Sequence, residues 1–150
     1  MSGFAFNAPS TTENAEILND EFFPNITLDQ VRKGVRFDGS ITNERLKDSI
    51  IDAMLEVNKQ LKSLKPKANR INDLATSMID GIADTEHQYR KAIYSAVSAD
   101  INEKYQSYDS SEAGQKRAEE LKRTIDEQRR NLRWAIRDLL GINRCTVDLI

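Results

Sequence analysis

The 150-residue chain holds a single cysteine, Cys145, and a single histidine, His87. A lone thiol allows no internal disulfide and no Cys-rich metal site, and it suits a reducing compartment. One imidazole excludes a zinc site built on two histidines. A serine or cysteine triad would need that same His87, which falls in the first turn of a helix with nothing in the sequence to set it beside Cys145 or a serine. The six glycines form neither G-x-G-x-x-G nor a Walker A run, so no phosphate-cradling loop is evident. No stretch approaches the roughly 18 apolar residues of a membrane span. The start, "MSGFAFNAPSTTENAEILND", has no basic region followed by an apolar block, and so is not read as a secretory signal. Carboxylates are plentiful, but most fall on polar helix faces. These absences describe a non-enzyme without cofactor or metal, made in a cytoplasm and away from membranes.

Charge is unevenly spread. Met1 to Val31 carries five acidic residues (Glu13, Glu16, Asp20, Glu21, Asp29) and no Lys or Arg. Glu112 to Leu140 carries eight basic residues against six acidic ones. The net charge of -2 gives no reason to expect avid nucleic-acid binding. Ends of opposite sign leave head-to-tail contact between copies unopposed.

The pattern along the chain is helical. Residues 1–19 are small, polar and aperiodic, and read as an extended or mobile arm. Thr27 with Gln30 makes a capping box for a short helix to about Gly34, and "FDGS" is a turn. Thr42 caps a longer helix, with Ile41 and Leu46 as a hydrophobic staple. Leu46, Ile50, Met54, Val57, Leu61 and Leu64 follow at steps of three and four, until Pro66 ends the run. Residues 65–84 read as a loop with at most a short helical turn. A Thr85–Gln88 capping box opens the next helix, to about Tyr108, with Tyr89, Ile93, Ala96, Val97, Ile101 and Tyr105 on a drifting apolar side. The last helix carries Ala118, Leu121, Ile125, Gln128, Leu132, Ala135 and Leu139, closed by Gly141. The expected fold is all-α: a small bundle of three long helices and one short, spanning 20–141, between an N-terminal arm (1–19) and a C-terminal tail (142–150).

Some side chains fall outside the core stripes. Trp134 lies well over 100° from the centre of its stripe at about 100° per residue, with Ile136 and Leu140 on another side. Ile51 and Leu55 sit one turn apart on the second helix. Either the short helix and the arms cover them, or they meet a neighbouring subunit; Ile51, Leu55, Trp134 and Leu140 are the interface candidates. Lys116, Arg123, Arg130 and Arg137 recur every seven residues, with Arg133 beside them. That stripe suits phosphates or an acidic partner, unless it is a solvated face paired with Glu119, Glu120, Asp126 and Glu127. It lacks the basic–aromatic interleaving that reads bases.

The ending, "INRCTVDLI", alternates like a half-buried strand. An all-helical chain offers that segment no second strand. It docks on its own bundle, adds to a partner, or stays disordered; Cys145, Thr146, Val147, Asp148, Leu149 and Ile150 are the candidate contact residues.

"NDEFFPNITLDQVRKGVRFDGSITNERLKDSIIDAMLEVNKQL", with "HQYRKAIYSAVSADINEKYQSYDSSEAGQKRAEELKRTIDEQRRNLRWAIRDLLG" and "RCTVDLI", resembles the head completion/stabilisation (GpL) proteins of peduovirus-type contractile-tailed bacteriophages. The likeness spans residues 19–150 and thins between Lys65 and Asp84. It rests on a combination: the Asn19–Pro24 turn, Asp38–Gly39, Thr42–Leu46, Tyr108–Asp109, Arg129–Arg130 with Trp134–Gly141, and the ending. The resemblance implies a late-assembly role at the portal vertex of the DNA-filled head. It also implies a head-tail connector (neck) ring, commonly twelvefold, with the portal and the tail-completion or neck proteins as partners and DNA passing nearby. The competing class is a nucleic-acid-binding packaging accessory such as a small terminase-like ring subunit. The acidic first thirty residues argue against that class.

Overall fold

The computed structural model describes residues 15–37, 40–104 and 111–143. Four helices and two small antiparallel hairpins follow one another: β1 (Glu16–Ile17), β2 (Ile26–Thr27), α1 (Leu28–Gly34), α2 (Asn43–Gln60), β3 (Met78–Ile79), β4 (Ile82–Ala83), α3 (Asp84–Lys104) and α4 (Glu112–Leu140). Two 3-10 turns, Lys62–Lys67 and Ile71–Leu74, lie between α2 and β3. The architecture is an all-α bundle with two small sheets, whereas the sequence put sheet propensity only at its end.

The first sheet draws the chain's beginning into the core. Glu16 and Ile17 pair with Thr27 and Ile26, and the Leu28 amide donates to the Ala15 carbonyl at 3.1 Å. Ile17 and Ile26 are both buried, so 15–19, read as arm from the sequence, is part of the body. The earlier residues of the arm lie outside the described residues. Phe22 and Phe23 meet edge to face at 4.9 Å, and Phe23 stacks on Tyr89 of α3 at 5.2 Å.

A closed polar ring sits beneath that stack. The Tyr89 hydroxyl donates to Asn58 Oδ1 at 2.7 Å, Asn58 Nδ2 donates to Asn19 Oδ1 at 2.8 Å, and Asn19 Nδ2 donates back to the Tyr89 oxygen at 2.7 Å. Asn19 Nδ2 also reaches the Pro24 carbonyl at 2.8 Å. The ring joins the first hairpin to α2 and α3. Burial pushes the Tyr89 phenol far above the usual tyrosine range, so the hydroxyl keeps its proton and its donor role.

The caps explain the helix starts. Thr27 and Gln30 form the expected capping box, and the Thr42 hydroxyl accepts from the Arg45 amide at 3.4 Å. Leu46, Ile50, Met54, Val57, Leu61 and Leu64 are all buried, as their spacing demanded. The α-helix nevertheless ends at Gln60, before Pro66, and continues as a 3-10 turn. That turn's three-residue period sets Leu61 and Leu64 on one side, and the Leu64 amide bonds the Leu61 carbonyl at 3.0 Å.

α3 is the central helix, packed against both α2 and α4. Tyr89, Ile93, Ala96, Val97 and Ile101 are buried as expected, and so are Ala92, Ser95, Ser98 and Ala99 on its other sides. Its start differs from the Thr85 cap: Asp84 is already helical, and its carboxylate accepts from the Thr85 amide at 2.7 Å. Thr85 Oγ1 is buried without a hydrogen bond among the described residues.

On α4, Ile125, Leu132, Ala135 and Leu139 are buried, and Gly141 closes the helix in left-handed geometry at φ 71°. Ala118 is exposed, however, and Leu121 and Gln128 are half-buried. From Glu112 to Thr124 only Gly114 is buried, so the first half of α4 keeps an amphipathic stripe that the body does not use up.

Candidate assembly surfaces

A charged seam fixes how the three longer helices sit. Arg129 of α4 bonds Glu103 of α3 at 3.0 Å and approaches Glu56 of α2 at 3.6 Å. Lys104 pairs with Asp100 at 3.0 Å and Asp52 at 3.4 Å, and the buried Ser49 hydroxyl donates to Asp100 at 2.7 Å. The seam determines which side chains can point elsewhere. At about 100° per residue, Trp134 lies about 140° from Arg129, and Ile51 about 140° from Glu56. Both turn away from the contact between α2 and α4.

The four interface candidates divide accordingly. Leu55 is 66% exposed and Ile51 is 37% exposed, one turn apart on α2. Leu140 is half-buried against the core, and its neighbour Ile136 is buried. Trp134 is half-buried, with the Arg130 guanidinium over its ring at 4.8 Å from the centroid. Stacking of this kind holds a cation flat on an aromatic face.

The basic stripe runs along the outer side of α4. Lys116, Arg123, Arg130 and Arg133 are exposed, and Arg137 is half-buried. Arg137 Nη1 donates to the Asn143 carbonyl at 3.4 Å, just past the helix end. Of the expected partners, Glu127 lies 3.9 Å from Arg130. The stripe's other members make no ion pair among the described residues. Cys145 to Ile150 lie outside the described residues.

A surface absent from the sequence reading appears between α2 and α3. β3 and β4 pair Met78 with Ala83 and Ile79 with Ile82 around a tight turn, with Asp80 at φ 52° and Gly81 at φ 70°. Two successive positive φ values define the turn that matches strand twist, and Asp-Gly is its usual sequence. "MIDGIA" carried that signal inside the supposed loop. Met78 is 66% exposed and Ile79 58% exposed. His87 Nε2 lies 2.8 Å from the Ile79 carbonyl, which gives the one histidine a structural place.

A groove of about 910 Å³ opens between the α1–α2 connection, α3 and the first half of α4. Val35, Ile41, Tyr94, Ile101 and Leu121 contribute apolar surface to it. Gly34 allows its floor: a Cβ there would stand 2.6 Å from Tyr94 Cε2. Burial raises the Tyr94 phenol's pKa, against the opposing pull of Arg90.

No cluster of three His, Cys, Asp or Glu suited to a metal occurs among the described residues, and no helix is long and apolar enough to cross a membrane. What the surface offers is apolar and cationic contact on a well-anchored bundle. Such a molecule is a small helical protein with apolar and cationic side chains on its surface. The chain belongs to the phage head completion protein (GPL) family, whose model matches residues 17–150 and so begins within β1. It is 32% identical over 139 residues to the head completion/stabilization protein of Escherichia phage P2, a match covering 89% of this chain and 82% of that one. No solved structure matches. The chain is therefore a phage head-completion and stabilisation protein, structural and not catalytic.

Proposed function

We propose that the chain completes the DNA-filled head at the portal vertex, as one subunit of a connector ring that readies the neck for the tail. The observation carrying this reading is the contrast between a satisfied core and an unsatisfied surface. Leu46, Ile50 and Val57 are fully enclosed, while Leu55, Met78 and Ile79 stand open on rigid elements. Apolar groups held outward in this way mark contacts with other chains. A ring needs heterologous contacts, with one patch of each subunit meeting a different patch of the next, and several unlike surfaces are available here.

In this reading residues 15–141 are the rigid block, flanked by residues 1–14 and the tail (142–150). The segment Cys145–Ile150 latches onto the portal or an adjacent subunit. Lys116, Arg123, Arg130, Arg133 and Arg137 face the DNA channel or an acidic portal surface. Twelve subunits is the natural expectation at such a vertex. Two measurements test the proposal. The mass of the purified protein, alone and mixed with its portal, gives the assembly state; a chain that ignores the portal defeats the reading. Deleting Cys145–Ile150 leaves the circular dichroism of the helices intact and abolishes head binding; normal head completion by the shortened chain defeats the latch.

A further inference from the structure

We propose that the β3–β4 hairpin of one copy seats in the α1–α3–α4 groove of a second copy. The contact deepens the ring reading by naming its subunit interface, but it requires only self-association and no portal.

The hairpin is built to stay in place. A two-stranded hairpin is marginal by itself in water, and this one is tied down at its base. The Asp84 carboxylate accepts from the Thr76 amide, the Thr76 hydroxyl at 2.7 Å and the Ser77 hydroxyl at 3.2 Å, while the Asp84 amide donates to the Ser77 carbonyl at 3.0 Å. His87 holds the Ile79 carbonyl. This anchoring presents Met78 and Ile79 to solvent. A rigid element with its apolar side chains already outward loses little freedom on docking, which favours association.

The groove is complementary in charge. Its apolar side chains, Val35, Ile41, Tyr94, Ile101 and Leu121, stand among the polar Ser95, Ser98, Asn102, Gln128 and Asn131, and it lies where the first half of α4 leaves its own stripe uncovered. Its rim carries Arg36, Arg45, Lys91 and Arg117 against Glu120. The hairpin carries no basic residue and places Asp80 at its tip. An acidic plug with two outward apolar side chains thus faces a basic socket that is part apolar, and the charges favour encounter in one register.

A chain cannot fill its own groove this way. Asp84 and His87 fix the hairpin to the first turn of α3. Lys91 and Ile101 of the groove's lining lie 7 and 17 residues beyond Asp84, and so about 10 and 26 Å along the helix. No residue of the chain's own hairpin lines the groove, Met78 and Ile79 standing exposed. The occupant is therefore a second copy, and because plug and socket are different patches the contact is heterologous, able to close into a ring.

The test is disulfide trapping in the full-length chain carrying Cys145→Ser. Ile79→Cys and Leu121→Cys are made as separate variants, mixed, and mildly oxidised, both free in solution and on heads. The mixture is expected to give a covalent dimer several-fold above either variant alone and above Ile79→Cys mixed with Lys59→Cys, at an exposed polar position of α2. In parallel, Met78→Asp combined with Ile79→Asp is expected to shift the sedimenting species toward monomer with helical content unchanged. Trapping no better than the Lys59→Cys control, or undiminished self-association in the double variant, overturns the contact. So does a Leu121→Cys thiol that becomes reactive only after residues 1–14 are deleted, since the arm would then fill the groove. Head binding without trapping sinks this interface and leaves the ring reading standing. A trapped dimer that never binds heads, made from a Cys145→Ser parent that does bind them, does the reverse.

Discussion

Replacing Tyr89 by phenylalanine isolates the polar ring that ties the first hairpin to α2 and α3. The aromatic ring keeps its place on Phe23, so packing is retained. What disappears is one oxygen that donates to Asn58 and accepts from Asn19. Asn19 Nδ2 keeps its bond to Pro24, while Asn58 Oδ1 loses its donor. A buried polar atom left without a partner costs about 1–3 kcal/mol. The space vacated by one oxygen falls short of the roughly 10–15 Å³ that a replacement water requires. Together these give a loss of about 2 kcal/mol, or roughly 4–8 °C in Tm for a chain of this size. Urea unfolding followed by circular dichroism measures it, with an unchanged m-value showing that the same surface is exposed on unfolding. Asn58→Ala and the double variant complete a cycle, in which the two losses should fall short of additive because both break one network. A loss under about 0.5 kcal/mol for Tyr89→Phe would mean that solvent already serves these groups, and the argument that this ring fastens the hairpin would fail.

Three other perturbations probe different parts of the molecule. Ile50→Ala, in the closed core, should cost about 2–5 kcal/mol, whereas Leu55→Ala on the same helix should stay within about 0.5 kcal/mol; thermal melts of both check the contrast, and any loss of head binding by Leu55→Ala then reports an interface. The Asp84 carboxyl is held below its ordinary 3.8, first by the Thr76 hydroxyl, and Asp20 likewise by Lys65. Because each folded pKa lies below the unfolded one, the stabilisation is complete above about pH 4 and drains away as pH falls through the folded values. The protection of amides in residues 76–87, taken relative to intrinsic exchange at each pH, should therefore fall in that acid window, and Asp84→Asn should flatten the dependence. Charge reversal at Arg123 and Arg130 should leave the melt nearly unchanged and weaken assembly with heads in a salt-sensitive manner; sedimentation with heads at two salt concentrations detects this, and an unaltered yield assigns the stripe to solvent.

What the sequence disclosed follows from where each helix buries itself. α2 has one buried face, so Leu46 to Leu64 stand out at steps of three and four, and Thr42 marks the start. α3 is buried on several sides, so its apolar residues drift and Ala92, Ser95 and Ala99 carry no periodic signal although they are enclosed. On α4 the reverse holds: Ala118 and Leu121 extend the stripe as regularly as Leu132 does, yet the body stops short of them. Periodicity reports which face is apolar, and it cannot report which chain covers that face. The hairpin was legible in principle, because Asp80–Gly81 lies between apolar pairs, but two-residue strands are too short for alternation to register, and a single turn dipeptide had to carry the whole signal. The same shortness hid β1, where only Glu16 and Ile17 pair. These two misread stretches and the first half of α4 have one thing in common. Each satisfies its backbone locally while its apolar side chains depend on distant contacts, within the chain for Ile17 and, by the plug-and-socket argument, beyond it for Met78, Ile79 and Leu121. A structural protein that acts by assembly divides its hydrophobic pattern between its own core and its neighbours, so a one-chain reading of that pattern overstates the core wherever a neighbour supplies the other half.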